Sequence, residues 1–577
     1  MAALEGRAPS RPLALGTRPR QSVALQSPPE HWKTCAQNGH KLRCKGLQLA
    51  TAHVVTGHLA TGREAQQMRV GIIGAGPAGM TAAYVLSRAG AAVEVFEASD
   101  GIGGLSRTIE LWGQKVDLGP HRFFTKDRRV HDLWMRPLHD DYRLVDRLTR
   151  IYYRQRFFHY PLRPAEALWK LGPWEAARCL ASYCKEQLRA SSASSGEETF
   201  QSWVQSRFGR RLFEIFFKTY TEKLWGIPCA QLDADFAAQR IKRFTLGEAI
   251  RAALGAARQQ HNTLIDRFAY PTGGAGMVYE RMVRAVRRRG GRIHLNCPVL
   301  RVLHDQRRVY GVKLAGGGRR QFDHVISTMP LTLLVEGLGQ LPAAVTAALG
   351  QLSYRNTILV YLHVGGSSLF ADQWLYVHSP DLLAGRITNF RNWVPELYGS
   401  AQSSIIAMEY WCYDHDPIWH EPDELLVERA VREIRSIRLI PYAPLLGGKV
   451  VRLHRSYPVY SKGYKEPLAQ VIDFLQTFRG LMAIGRYGSF KYNNQDHSIL
   501  MGLLAAENIL YDRNHDLWAV NTDYDSYQEG DGFQEAAQTE HPLSSKKPGT
   551  ATAEKYKRRR HPAARRRRSD RTRSAAV

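Results

Sequence analysis

The stretch RVGIIGAGPAG at residues 69–79 decides the fold of this chain. It is a short apolar run that ends in glycines, and helix-forming residues follow it as far as Arg88. A second apolar run covers residues 92–96. This order predicts a β-strand, an α-helix and a second β-strand, and therefore an α/β fold that begins with a Rossmann-like domain.

The glycine spacing predicts a dinucleotide site at the start of the helix. Gly74 permits a tight turn, Gly76 lets a pyrophosphate approach the backbone, and Gly79 lets the helix pack on the strand. The helix N terminus supplies N–H donors for phosphates, and Glu97 ends the second strand, where a carboxylate accepts ribose hydroxyls. The predicted contacts are Gly74, Gly76, Pro77, Ala78, Gly79 and Glu97.

A second glycine pair follows in the segment DGIGGLSRT at residues 100–108. Together with the acidic strand end, this segment resembles the flavoprotein superfamily of amine oxidases, protoporphyrinogen oxidases and UDP-galactopyranose mutases. The resemblance implies that FAD is the cofactor and that this segment wraps its phosphates and ribityl chain. The implied contacts are Gly103, Gly104, Leu105 and Arg107.

Three further segments are similar to UDP-galactopyranose mutases: DLGPH at 117–121, TEKLWG at 221–226 and GRYGSFKYNNQDHS at 485–498. The last resembles the C-terminal flavin-binding motif of these enzymes, shortened by two residues. The resemblance implies that Gly485, Arg486 and Asp496 contact the flavin and that His121 lies at its reactive face. Tyr492 and Asn494 would face the phosphates or sugar of the substrate, so His121, Tyr492 and Asn494 are the candidate catalytic residues.

One element departs from the mutase pattern. In the mutases, polar amide residues follow an aromatic-proline element near the uridine, whereas Leu162 and Arg163 follow Tyr160 and Pro161 here. An arginine still suits a phosphate or carboxylate. A nucleotide sugar is therefore allowed as the substrate but is not required.

The resemblance implies a redox-neutral isomerisation, in which reduced flavin acts on a nucleotide sugar or glycosyl phosphate and the sugar ring closes at a different size. The main alternative is an FAD-dependent oxidoreductase of the amine oxidase or protoporphyrinogen oxidase type, because the same fold serves both reactions. A third alternative is a binding protein that keeps a flavin fold without catalysis.

The patterning divides the chain into seven segments. We expect residues 68–122, 271–345 and 481–528 to build the FAD-binding domain, the last as its C-terminal motif. Residues 123–270 have few alternating patterns and predict a mainly helical substrate lobe, whereas residues 346–480 predict a second, strand-rich lobe. Residues 1–67 and 529–577 are predicted to be a disordered basic leader and tail.

The net charge of +27 lies largely in these two end segments. Residues 1–67 carry +6 and residues 545–577 carry +11, which leaves +10 for the rest of the chain. We therefore expect binding to nucleic acid or anionic membrane only through the basic tail. The other expected partner is a small-molecule substrate.

Cysteine content and hydropathy indicate the compartment. The seven cysteines are odd in number and include no CxxC pair, which favours a reducing compartment and gives no zinc set. His415 and His420 lie beside acidic residues in a polar loop, and we predict no metal there. No window is apolar enough for a transmembrane segment, so we expect a cytoplasmic protein.

Overall fold

The computed structural model describes residues 68–190, 198–240 and 267–520. The predicted basic leader, the predicted tail and the last residues of the predicted C-terminal motif lie outside these residues. Within them, no helix is long and apolar enough to cross a membrane.

The strands of the described residues are numbered in chain order. They are β1 (Arg69–Ile73), β2 (Ala92–Phe96), β3 (Thr108–Leu111), β4 (Gln114–Asp117), β5 (Tyr142–Asp146), β6 (Thr149–Tyr153), β7 (Arg156–His159), β8 (Arg267–Pro271), β9 (Arg292–His294), β10 (Val299–Asp305), β11 (Arg308–Leu314), β12 (Arg319–Gln321), β13 (His324–Ser327), β14 (Tyr354–Gly365), β15 (Trp374–Val377), β16 (Arg386–Asn389), β17 (Ser403–Cys412), β18 (Leu445–Pro458) and β19 (Leu481–Ala483).

The α-helices of the same residues are numbered likewise. They are α1 (Pro77–Arg88), α2 (Arg128–Met135), α3 (Pro164–Leu171), α4 (Pro173–Ala190), α5 (Phe200–Phe208), α6 (Arg210–Phe213), α7 (Thr219–Trp225), α8 (Asp235–Arg240), α9 (Met277–Arg288), α10 (Leu331–Glu336), α11 (Ala343–Leu349), α12 (Pro417–His420), α13 (Asp423–Ser436), α14 (Lys465–Gln476), α15 (Gly485–Gly488) and α16 (Gln495–Tyr511). A π-helical turn at Glu214–Lys218 joins α6 to α7.

A five-stranded parallel sheet has the order β19-β13-β1-β2-β9. Its strands are buried apolar runs, as expected where helices cover both faces of a parallel sheet. In β1, Ile73 lies opposite both Phe96 of β2 and Ser327 of β13. The carboxyl ends of these strands therefore meet along one edge. The prediction of a Rossmann-like α/β fold is confirmed.

The C-terminal segment packs directly on the first motif. Helix α16 crosses α1 at Gly502, where an added Cβ would lie 2.4 Å from the carbonyl oxygen of Ala78. Gly485, at the start of α15, has φ +80, and an added Cβ there would lie 3.0 Å from the Cβ of Ala78. The two predicted cofactor segments, more than 400 residues apart in the chain, thus share one edge of the sheet.

A seven-stranded mixed sheet has the order β18-β14-β17-β16-β15-β6-β7. Only the β15–β6 pair is parallel among its described pairings. Helix α13 buries Leu426, Ala430 and Ile434 in the apolar cluster that this sheet shares. The strand-rich lobe predicted over residues 346–480 corresponds to most of this sheet.

The segment predicted to be mainly helical, residues 123–270, contains more strand than expected. Strand β5 pairs with β8, and β6 and β7 form a hairpin that extends the seven-stranded sheet. Among the described residues of this segment, the helices are α2 and the series from α3 to α8. Residues 142–159 form strands rather than helix, and the strand partner of β6 is β15, more than 200 residues away.

Candidate cofactor and substrate site

A cavity of about 840 Å³ lies at the carboxyl edge of the parallel sheet. The residues that follow β1, β2, β13 and β19 all line it: Gly74, Glu97, Thr328 and Gly485. Ligands of open α/β sheets bind at this edge, because neighbouring strands leave a crevice where their connections diverge. The cavity is large enough for a dinucleotide-sized ligand.

The N terminus of α1 opens onto this cavity without a side-chain cap. Gly76 is its N-cap residue, and Pro77 and Ala78 follow it in the cavity wall. Gly104 lies opposite, since a Cβ added there would lie 3.1 Å from the Cα of Gly76. Uncapped N–H groups and two backbones without side chains suit a pyrophosphate, so the residues present fit the phosphates of a dinucleotide.

Glu97 lines the same cavity and already accepts hydrogen bonds from the protein. Its Oε2 accepts the Ala75 N–H at 2.8 Å, and its Oε1 accepts the Ser99 N–H at 2.9 Å and the Ser99 hydroxyl at 2.7 Å. These bonds fix the orientation of the carboxylate. A carboxylate offers about four acceptor positions, so Oε2 retains one for a ribose hydroxyl.

Three predicted cofactor contacts shape the site without lining the cavity. Gly79 packs α1 on the turn, because an added Cβ would lie 2.1 Å from the Gly74 carbonyl oxygen. Gly103 has φ +108 and donates its N–H to the Ala75 carbonyl. Arg107 donates to Asp100 at 2.6 Å, so its guanidinium fixes the loop of the second glycine pair rather than facing a ligand. Leu105, also predicted, does line the cavity.

His121 lines the same cavity and is half-buried there. Its Nδ1 is buried and has no hydrogen-bond partner among the described residues. Burial, and then the charges of Arg386 and Arg486, lower the pKa of His121 to about 3. The imidazole is therefore neutral at physiological pH and can exchange hydrogen bonds with a ligand.

Arg386 and Glu409 form a bidentate ion pair in the cavity wall that the sequence analysis missed. Nε of Arg386 donates to Oε1 of Glu409 at 2.6 Å, and Nη2 donates to Oε2 at 2.5 Å. The Glu409 side chain is 2% exposed. A signal was present, because Glu409 is the one charged residue in the apolar strand SSIIAMEYWC and a buried charge requires a partner.

Arg486 lies against two tyrosine rings that also line the cavity. Its Cζ is 4.6 Å from the ring centroid of Tyr457 and 4.3 Å from that of Tyr492. Its Nε donates to the Ser456 carbonyl and its Nη1 to the Asn493 carbonyl, both at 2.8 Å. No carboxylate pairs with Arg486 among the described residues. Its charge is therefore held in a fixed place at the cavity wall.

Two other predicted residues of the C-terminal motif, Asn494 and Asp496, also line the cavity. Asn494 lines the cavity, but its side chain caps α16 in a reciprocal arrangement with His497. This places Asn494 in a structural contact that its predicted substrate role did not anticipate. Asp496, in the first turn of α16, is buried and lines the cavity.

The segment that leads to His121 is anchored by a buried carboxyl. Asp117 accepts hydrogen bonds from the hydroxyls of Thr108 and Tyr270, each at 2.6 Å, and from the Ala275 N–H at 3.1 Å. Burial raises the pKa of Asp117 to about 7, against the effect of these donors. The carboxyl ties β4 to β8 and so positions the loop that carries His121.

The segment 221–226 lies behind the cavity rather than in its wall. Nζ of Lys223 donates to the carbonyls of Val377, Ser379 and Ala384, at 3.2, 2.7 and 3.3 Å. Burial lowers the pKa of Lys223 to about 8. Trp225 packs on Tyr492, with ring centroids 5.7 Å apart. The segment thus supports a cavity residue and joins α7 to the sheet.

His415 and His420, which were considered as metal ligands, make other contacts. His420 Nε2 lies 2.6 Å from the Asp414 carbonyl oxygen, and His415 stacks on Tyr413. Across the described ranges, no cluster of His, Cys, Asp and Glu could hold a metal ion.

Comparisons with known proteins agree with this geometry. The family model "Flavin containing amine oxidoreductase" matches residues 77–510. An L-amino-acid oxidase of Crotalus adamanteus is 50% identical over 64 residues, which are 11% of this chain and 12% of that protein. The chain therefore matches about an eighth of that relative.

Solved structures extend the similarity to most of the chain. A reduced UDP-galactopyranose mutase superposes with a TM-score of 0.70 at 21% identity, covering 80% of this chain and 98% of that one. A putative protoporphyrinogen oxidase from Exiguobacterium superposes with a TM-score of 0.61 at 18% identity, covering 78% and 99%. At these identities the likeness shows the fold.

The parallel sheet, the uncapped helix and the cavity define a protein of the dinucleotide-binding class. Because the family model spans more than half of the sequence, the chain belongs to the flavin-containing amine oxidoreductases. The predicted superfamily is thereby confirmed.

Proposed function

We propose that the protein binds FAD and catalyses a redox-neutral isomerisation of an anionic sugar substrate, a nucleotide sugar or a related glycosyl phosphate. Reduced FAD, when bound, would supply the electron-rich centre for attack on carbon. The described residues supply the binding of the cofactor, the placement of the substrate anion and the exclusion of water.

The fixed positive charge of Arg486 is the observation that carries the proposal. The Arg386 charge is neutralised by Glu409, whereas the contacts of Arg486 with the described residues are to two carbonyls and two tyrosine rings. A cavity wall with an uncompensated guanidinium favours a phosphate and disfavours a cationic amine. This separates the proposal from an oxidase that acts on a protonated amine.

The remaining candidate residues have roles that match their surroundings. Tyr492 holds its ring against Arg486 and offers a hydroxyl as a neutral donor to the same anion. His121, kept neutral by its low pKa, can donate or accept a hydrogen bond without adding charge. Glu97 would bind the adenosine ribose at the other end of the cofactor.

A second candidate function is hydride removal from an apolar substrate, with the electrons passed to an acceptor. The observation in its favour is the aromatic wall formed by Tyr160, Tyr376 and Trp374 in the same cavity. Tyr160 and Tyr376 pack with ring centroids 4.9 Å apart. Such a wall suits a hydrophobic substrate more than a sugar.

The two functions differ in their electron balance. Purified protein would be assayed with UDP-galactopyranose and a panel of other sugar nucleotides, either after dithionite reduction without air or as oxidised enzyme with an oxygen electrode. Isomerisation predicts product only after reduction, with no stoichiometric consumption of reductant. Oxygen uptake in proportion to product, starting from oxidised enzyme, would reject isomerisation and support hydride removal.

Glu409→Gln removes the carboxylate that neutralises Arg386 in the cavity wall, and its effect on activity must be distinguished from an effect on flavin binding. Glu428→Gln alters an exposed ion pair away from the cavity and serves as the matched variant for Glu409→Gln. Flavin content is measured in each variant before activity.

We also propose that the protein acts in the cytoplasm. Five free cysteines among the described residues support a reducing compartment.

A further inference from the structure

Two tryptophans stand far out from the surface at the junction of α3 and α4. Trp169 is 81% exposed and Trp174 is 76% exposed. Among the described tryptophans, the next most exposed is Trp112, at 40%. Large apolar side chains left in water at one site mark a surface that contacts another body.

An exposed apolar stripe continues from Trp174 along α4. Its residues recur at intervals of three and four, which places them on one side of the helix. They are Trp174, Ala177, Ala181, Cys184 and Leu188, all exposed. The opposite side of α4 buries Cys179 against the protein. We call Trp169 together with this stripe the tryptophan face.

The surroundings of the tryptophan face are cationic. Residues 150–190 contain eight Lys and Arg and three Glu, a net charge of +5. Arg178 and Lys185 follow one flank of the stripe and are exposed, whereas the other flank carries Leu180 and Gln187. Arg178 also pairs with Glu175 of the same helix at 3.4 Å, so Lys185 is the cation of this flank on which the charge argument mainly rests.

A shallow groove of about 580 Å³ lies beside Trp169. Three cations, Arg150, Arg156 and Lys170, line it together with Phe157. Arg150 pairs with Asp372 and Lys170 with Glu166, and Arg156 donates to the Lys170 carbonyl. The groove thus offers one guanidinium without a carboxylate partner among the described residues, at the edge of the tryptophan face.

We propose that the tryptophan face docks on an anionic phospholipid surface. Trp169 and Trp174 enter the boundary between headgroups and acyl chains, where indole rings are favoured. The flanking cations bind lipid phosphates, and Arg156 in the groove takes one headgroup. A helix with Trp and Leu on one face and Lys and Arg beside them lies in the plane of such an interface.

A second copy of the chain fits this face less well. Two α4 helices paired antiparallel through the stripe would bring Arg178 of one copy next to Lys185 of the other, which is a like-charge contact. An anionic membrane meets the same cations with opposite charge. The charge pattern therefore selects the membrane over self-association.

The test uses the full chain and vesicles with brominated acyl chains, which quench tryptophans that enter them. The vesicles contain phosphatidylcholine alone or with phosphatidylglycerol. The basic tail at residues 545–577 contains no tryptophan, so binding through the tail gives no quenching of its own. We expect quenching only with the anionic vesicles.

Variants locate the contact. Trp169→Ala with Trp174→Ala should abolish most of the quenching, and Lys185→Gln should weaken vesicle binding about fivefold. Tyr442→Ala is the matched control, because Tyr442 is 95% exposed on a different part of the surface. All these side chains are exposed, so the fold is retained.

Two results would overturn the proposal. One is quenching that is absent, which would leave the tail as the membrane contact, or quenching that is unchanged in the double tryptophan variant, which would place another tryptophan, such as Trp32 or Trp112, in the membrane. The other is a dimer in sedimentation velocity without lipid that Trp174→Ala dissociates, which would make the face an interface between copies. Neither result bears on whether the cavity isomerises sugars.

Discussion

The guanidinium of Arg486 stacks on the ring of Tyr492, with Cζ 4.3 Å from the ring centroid. The ring centroid of Tyr457 lies 4.6 Å from the same Cζ, and the two tyrosine rings stack on each other with centroids 5.5 Å apart, so the guanidinium lies against the pair of rings. The guanidinium also donates two hydrogen bonds, one to the carbonyl of Ser456 and one to the carbonyl of Asn493. A long side chain that is normally mobile is therefore held rigid, and its charge is available to a ligand without further ordering.

Replacing these two residues should have unequal effects. Arg486→Ala removes a charged contact, and we expect kcat/KM to fall about 100-fold, whereas Tyr492→Phe keeps the ring and removes one neutral donor, for a loss of about tenfold. Flavin content is measured first, because Arg486 also anchors the segment that follows β19. Equal losses in the two variants would mean that the charge of Arg486 does not act on the substrate.

The ion pair between Arg386 and Glu409 should be costly to break. Glu409→Gln leaves the Arg386 guanidinium, which is 17% exposed, without its carboxylate, and should lower the free energy of unfolding by about 3 kcal/mol. Urea unfolding followed by circular dichroism measures this change. Glu428→Gln, in a pair that is more than 60% exposed, should change it by about 0.5 kcal/mol or less.

Asp117 should make stability depend on pH in a defined direction. Its pKa is raised from an ordinary 3.8 to about 7 in the folded protein, so its contribution is complete below pH 3.8 and is lost as pH rises to 7. Asp117→Asn removes this titration. The difference in unfolding free energy between wild type and variant should fall by about 1 kcal/mol per pH unit between pH 5 and 7, then level off. A difference that does not change with pH would show that Asp117 is ionised throughout.

The first βαβ unit could be predicted because its signals are local. The glycines, the strand before them and Glu97 all fall within 30 residues, and each restricts the backbone or the ligand directly. The strand-rich character of residues 346–480 was likewise predictable from short apolar or alternating runs. Signals that lie within a short stretch of the chain can be recognised in a single sequence.

The hairpin of β6 and β7 could not be predicted in the same way. Its two-residue turn places Arg154 at φ +46 and Gln155 at φ +60, in a conformation usually signalled by Asn or Gly. The pairing of β6 with β15 depends on a part of the chain more than 200 residues away, and the meeting of Arg386 with Glu409 depends on the register between β16 and β17. Only the lone acid in β17 gave a local indication of that ion pair.

The assignment of the cofactor pyrophosphate to Gly76 has a direct test. A Cβ added at Gly76 meets nothing closer than the Gly104 Cα at 3.8 Å, so Gly76→Val should fold and should fill the space in front of the α1 N terminus. Overpacking of a few kcal/mol corresponds to about 100-fold weaker flavin binding. Gly316→Val is the control, because an added Cβ there meets no atom within 4 Å. The flavin released on denaturation is quantified against protein and identified by chromatography as FAD or another flavin. A Gly76→Val protein that retains a full complement of FAD would place the pyrophosphate elsewhere and remove the basis for the cofactor orientation used throughout.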